Sequence, residues 1–219
     1  MSGGFSFLRC EFKIKMIRAM ILSLMLLALF VCPGLNARVF PELQYPNSRQ
    51  TEMHGIPQLI QQLYSNDTYM RDDAKKKLVM QTKKSAGDRR RVIHSMIRVL
   101  DDPTASFETQ SDVAGTLGQL RAIEGIDALV KYLDLNNGVV GLSAGNYPAL
   151  RAIIEIGRPA VGKLSKALLK ERTSVRRNAA LALGEIGGGQ AKKALELALA
   201  RESDYATKQI IKIAWSHCR

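Results

Sequence analysis

Cysteine, histidine and aromatic residues are all scarce in this chain of 219 residues. The three histidines, His54, His94 and His217, are widely separated, and the three cysteines, Cys10, Cys32 and Cys218, gather nowhere. His217-Cys218 is a two-ligand fragment, whereas metal sites need three or four ligands. There is no Gly-x-Ser-x-Gly elbow, no phosphate-binding loop and no His-Glu-x-x-His helix. The chain therefore offers no familiar catalytic, cofactor or metal residues, and we assign none and expect no cofactor. Aromatic residues make up 6% of the sequence and are not interleaved with the basic runs, which argues against stacking on single-stranded nucleic acid. No segment sustains period-two alternation with β-branched residues, so no sheet is expected. Acidic residues are also in deficit: 20 Asp and Glu face 32 Lys and Arg, a net charge of +12.

The first 54 residues differ from the rest. Lys13, Lys15 and Arg18 precede an apolar stretch from Ala19 to Val31, followed by Cys32-Pro33-Gly34 and Leu35-Asn36-Ala37. A basic start, a short apolar run and a small residue at its far edge describe a secretory signal peptide, here residues 1–37. The stretch is short for a membrane span, which needs about 20 apolar residues, and an uncleaved N-terminal anchor is the alternative to a cleaved signal. Residues 1–12 read as an upstream extension, since Met16 or Met20 could equally start the signal. Residues 38–54, with Pro41, Pro46, Asn47 and Ser48, lack a helical period and read as a linker. Cleavage after Ala37 would remove three of the twelve net positive charges and leave Cys218 as the sole cysteine. About 180 residues are ample for a core without a disulfide. We therefore expect an exported protein of the periplasm, cell envelope or extracellular space. In that setting Asn66-Asp67-Thr68 fits a glycosylation acceptor, but Asn66 or Asp67 fits a helix cap better.

What is present, repeatedly, is one amphipathic motif. Its best copy runs from Val175 to Gly187 and is followed by a second apolar run, Ala191 to Leu199. Val175, Ala179, Ala182, Leu183 and Ile186 fall at spacings of three and four, one face of a helix. Ser174 sits where an N-cap is expected, and Gly187-Gly188-Gly189 supplies the stop. Leu150 to Gly157 leads likewise into Val161–Leu168, and Ala114 to Leu120 into Ile126–Leu133. Registering Ile186, Ile156, Leu120 and Met80 on one another gives steps of 30, 36 and 40 residues. That register places Ala74, Ala114, Leu150 and Ala180 at one buried position. Repeats of this length, each of two short helices, are the mark of an α-solenoid. Ile56–Tyr64 reads as an opening helix and Tyr205–Trp215 as a closing one. Lys83 to Gly87 is expected to lengthen the link inside the first unit.

The form Val-Arg-Arg-x-Ala-Ala-x-Ala-Leu-Gly-Glu-Ile-Gly, followed by a helix with paired Ala-Leu, resembles the HEAT-like repeat of the phycobilisome-lyase type. The resemblance is close over 175–200, fair over 148–169 and weaker upstream. It implies an all-α, α-α superhelix of about four helix pairs over residues 55–219. It says little about activity, because proteins with this repeat include lyase subunits, DNA-alkylation repair enzymes and plain scaffolds. Glu155 and Glu185 recur at one repeat position, which marks them as scaffold residues and not a catalytic pair.

A non-catalytic interaction module is the function these features imply. A lyase-type enzyme or subunit, or a DNA-alkylation-repair-like protein, is the alternative. The basic runs Lys75–Lys77, Lys83-Lys84 and Arg89–Arg91 read first as solvated helix faces. Registering second helices on Met96-Ile97-Arg98, Leu129-Val130-Lys131 and Leu164-Ser165-Lys166 puts one cation at the same place in three units. Leu197 breaks the series in the fourth. By resemblance, second helices line the concave side of such arrays, so Arg98, Lys131 and Lys166 are the candidate partner-binding residues. The expected partner is a protein, acidic in character. An anionic envelope polymer or lipid headgroups would satisfy the same charge, nucleic acid is disfavoured, and no small-molecule substrate is indicated.

Overall fold

The computed structural model describes residues 55–138 and 146–218. The signal and linker expected over residues 1–54 lie outside them. The described residues contain ten α-helices and no strand. An opening helix, α1 (Ile56–Gln62), precedes four pairs: α2 (Thr68–Thr82) with α3 (Ala86–Leu100), α4 (Phe107–Gln119) with α5 (Ile126–Lys131), α6 (Pro148–Ile156) with α7 (Val161–Lys170), and α8 (Thr173–Ile186) with α9 (Gly189–Arg201). A closing helix, α10 (Tyr205–His217), follows. Short 3-10 turns at Ile123–Gly125 and Arg158–Ala160 lead into α5 and α7. This is an all-α solenoid of four helix pairs. None of the described helices is long and apolar enough to cross a membrane.

Local chemistry sets the helix ends. Asp67, Ser85 and Ser106 each cap a helix, their side-chain oxygens accepting the amides of Tyr69, Asp88 and Thr109 at 2.8, 3.0 and 3.2 Å. Asp67, not Asn66, is thus the cap of α2. Gly157 (φ 79°) and Gly187 (φ 69°) end α6 and α8 in positive-φ backbone that a side chain resists. The equivalent place after α4 is taken by Arg121, at φ 46°.

Two local expectations change. Ser174 does not cap α8, because Arg172 holds that place and the Ser174 hydroxyl donates to Asp134 Oδ2 at 2.6 Å. The helix starts at Thr173, which puts Ser174 inside the first turn, where its hydroxyl reaches a carboxylate from an earlier repeat. The link inside the first pair is not lengthened either: Ala86 and Gly87 already belong to α3, leaving Lys83–Ser85 outside the helices.

One core runs the length of the array. Ala74, Ala114, Leu150 and Ala180 are all fully buried, as are Leu78, Leu117, Ile153 and Leu183. α2, α4 and α8 begin at Thr68, Phe107 and Thr173, so the first unit is set 39 residues from the second. This one-residue shift aligns Ala74 with Val113 and leaves Met80, 58% exposed, outside the core.

First helices pack directly on one another across repeats, and glycine makes the contact possible. A Cβ built on Gly118 would lie 2.7 Å from the Ala152 Cα of α6. Polar ties reach further. Thr109 Oγ1 of α4 donates to the Leu63 carbonyl at 2.9 Å, and Asn178 Nδ2 of α8 donates to the Leu133 carbonyl at 2.7 Å. Each satisfies a carbonyl just past the end of a helix, where no intrahelical donor is available.

Candidate functional site: the basic face of the second helices

Met96, Leu129, Leu164 and Leu195 are completely buried and anchor the second helices α3, α5, α7 and α9 in a common register. Two residues beyond each anchor stand Arg98, Lys131, Lys166 and Leu197, all exposed. Lys131 and Lys166 line one surface groove of 310 Å³ between α5 and α7. Arg98 lines a different and larger concavity near α1. The structure therefore brings two of the three candidates into one groove and places the third at another.

That groove is more basic than the aligned pair alone implies. Lys163, Lys170 and Arg172 also line it, against the carboxylates Asp127 and Glu171. Lys163, Lys166 and Lys170 fall at i, i+3 and i+7 of α7, a stripe legible in the sequence but passed over when only one position per repeat is aligned.

The cations there are not equivalent. Lys131 Nζ meets Asp101 Oδ1 at 2.7 Å and lies 5.0 Å from the Tyr132 ring centroid. The Asp101 hydrogen bond, foremost, raises the Lys131 pKa. Lys163 pairs with Asp127 at 2.6 Å, and Arg172 clamps Asp134 with bonds of 2.5 and 2.8 Å. Burial works against the Asp134 charge, but hydrogen bonds from Arg172 and Ser174 outweigh it and hold the carboxyl below the usual range. These pairs link successive repeats. Lys166 and Lys170 form no ion pair with any described residue, and their charge is available to a partner.

The basic runs of the first unit are largely engaged internally. Lys75 bridges Asp72 at 2.7 Å and Asp112 at 2.6 Å, Lys77 pairs with Asp73, and Arg91 with Asp88. Arg89 donates to the Leu120 carbonyl at 2.8 Å. Arg71 is buried and joins Asp112 at 2.9 Å to the carbonyls of Ser65 and Asn66. On this first-helix face α2, α4 and α6 border a mixed-charge groove of 910 Å³ that includes Arg151 and Glu155. Glu155 bonds Arg151 at 3.3 Å, one helical turn away. No three His, Cys, Asp or Glu side chains among the described residues come together to hold a metal ion.

Residues 175–201 match the family model of the PBS lyase HEAT-like repeat. The matched stretch runs from the first turn of α8 through the last residue of α9, so it is this helix pair that is similar to a HEAT-like repeat. Among solved structures, human deoxyhypusine hydroxylase in complex with glycerol is similar over 76% of this chain and 86% of its own. The two share 15% identity, with a TM-score of 0.29. No curated protein matches the sequence.

Proposed function

We propose that this chain is a non-catalytic interaction module, an exported HEAT-like scaffold that binds an acidic protein partner along the basic face of its second helices. The observation that carries the reading is the groove between α5 and α7. Five cations line it against two carboxylates, and Lys166 and Lys170 carry charge that no described residue neutralises. Stacked repeats hold equivalent positions roughly 10 Å apart, so a row of such cations addresses an extended anionic surface and not a small ligand. Arg98 extends the row toward α1.

Affinity capture with the tagged protein, from the compartment where it resides, tests the reading. The triple variant Arg98→Glu/Lys131→Glu/Lys166→Glu should lose the captured partner, single reversals should weaken it modestly, and added salt should mimic the loss. Undiminished capture by the triple variant at low salt would refute a charge-read surface. The export part is read separately, by mass spectrometry of the native protein. A chain beginning near Arg38 is expected, and one retaining Met1 or Met16 would place the protein in an anchored or cytosolic class.

A further inference from the structure

Helix α1 is too short for the helix it accompanies. Tyr64, just past the end of α1, donates its hydroxyl to Asp102 Oδ2, just past the end of α3, at 2.7 Å. Burial and this bond push the Tyr64 hydroxyl up to about 12. The C-terminal ends of the two helices therefore lie side by side. α1 has 7 residues and α3 has 15. At a rise of about 1.5 Å per residue they span about 10 and 22 Å. Further along, α7 packs on α5 and α9 on α7, whereas here the N-terminal half of α3 runs on beyond α1.

A notch of 1040 Å³ lies at that mismatch. Ile56 and Pro57 at the start of α1, with Ile97 of α3, give it an apolar side. Its other side is the outward stripe of α3, where Arg90, His94 and Arg98 follow one another at successive turns. Among the described residues Asp88 is the only carboxylate on the rim, and it is already held by Ser85 at 2.8 Å and Arg91 at 2.5 Å. Arg98 donates to the Ser95 hydroxyl and to no described carboxylate, and Arg90 has no partner among the described residues. An apolar strip beside a cationic strip, as long as the missing turns of a helix, is a template for an amphipathic helix with an acidic flank.

We infer that the notch between α1 and α3 docks an acidic amphipathic helix of a partner protein, which continues the second-helix layer where α1 stops. Its apolar face would meet Ile56, Pro57 and Ile97, and its carboxylates would meet Arg90, His94 and Arg98. The inference rests on the acidic-partner reading above but assigns the primary contact to residues outside the α5–α7 groove.

Two peptides of about 15 residues, long enough to form a helix, serve as probes: one Glu-rich with leucines at i, i+3, i+4 and i+7, and a scramble of identical composition. Fluorescence anisotropy with the protein as cells process it reads both, and circular dichroism confirms that each variant is folded. The amphipathic peptide should bind about tenfold more tightly than its scramble. Arg90→Glu/His94→Glu should weaken it about tenfold, while Lys193→Glu/Lys212→Glu, exposed positions on α9 and α10, changes it less than about twofold. Equal binding of the scramble overturns the helix site, because charge alone is then being read. Unchanged binding by Arg90→Glu/His94→Glu, or no binding by the parent, overturns the notch as the contact. Loss confined to Lys131→Glu/Lys166→Glu overturns the notch yet leaves the acidic-partner reading standing.

Discussion

Gly184 of α8 and Ala214 of α10 lie so close that a Cβ built on the glycine would fall 2.9 Å from the Ala214 Cα. Two repeat junctions earlier, Gly118 faces Ala152 in the same way, and each glycine follows the buried leucine of its helix, Leu183 or Leu117. Mid-helix glycine is disfavoured by about 1 kcal/mol relative to alanine. Here that cost is offset by backbone-to-backbone packing of first helices.

The substitution Gly184→Ala should therefore destabilise the protein by about 1–3 kcal/mol, the range for overpacking, despite its better helix propensity. Gly115 of α4 is the internal control, because a Cβ there would meet nothing within 4 Å. Gly115→Ala should stabilise by about 0.5–1 kcal/mol. Urea unfolding of both variants gives the comparison, and equal signs would refute the packing argument.

Arg121 takes a positive φ at the place after α4 where Gly157 and Gly187 end α6 and α8. Its amide still donates to the Gly118 carbonyl at 2.8 Å, and the Ala122 amide to the Leu117 carbonyl at 3.0 Å, so the turn is needed. Positive φ costs a non-glycine residue about 1–2 kcal/mol. Arg121→Gly recovers that strain but adds about 0.4–1 kcal/mol of unfolded-state freedom. A net gain of up to about 1.6 kcal/mol, seen as a rise of a few degrees in Tm, is expected. Arg121→Val should lower Tm.

Asn178 is buried, and its amide satisfies the Leu133 carbonyl. Asn178→Ala strands that carbonyl away from water and should cost about 1–3 kcal/mol. Hydrogen exchange should show faster opening at the end of α5 in this variant, since the bond spans 45 residues of sequence. Faster opening confined to α8 would contradict the long-range role.

Glu202, at the end of α9, and Asp134, between α5 and α6, carry their ion pairs into the pH dependence. Arg176 grips Glu202 with bonds of 2.8 and 3.0 Å and, foremost among its neighbours, holds the carboxyl low. Asp134 is held low as well, against the opposing effect of its burial. A carboxylate with a depressed folded pKa stabilises fully above its unfolded value, about 3.9 for Asp and 4.3 for Glu, and loses that contribution as pH falls through the folded value. Thermal melts should accordingly fall steeply below about pH 4. The variant Asp134→Asn/Glu202→Gln should melt lower at pH 7 and show a shallower acid slope. An unchanged slope would mean these pairs do not set acid stability.

Periodicity in the chain alone was enough for the helices, their pairing into four units and the end helices. The reason is that burial of one helix face, as at Val175, Ala179 and Leu183, leaves a spacing that needs no partner to be read. Gly187 as a stop is legible for the same local reason. Register, capping and charge were decided by the tertiary structure. Met80 looked equivalent to Leu120 until the start of α2 set the first unit one residue over. Ser174 looked like a cap until Asp134, 40 residues upstream, took its hydroxyl. The lysines told the same story: Lys75, Lys131 and Lys163 are indistinguishable in sequence from Lys166 and Lys170, yet the fold brings carboxylates to the first three and not to the last two. Hydrophobic burial repeats with the helix and is written locally, whereas which charge meets which depends on side chains that only packing of successive repeats brings together.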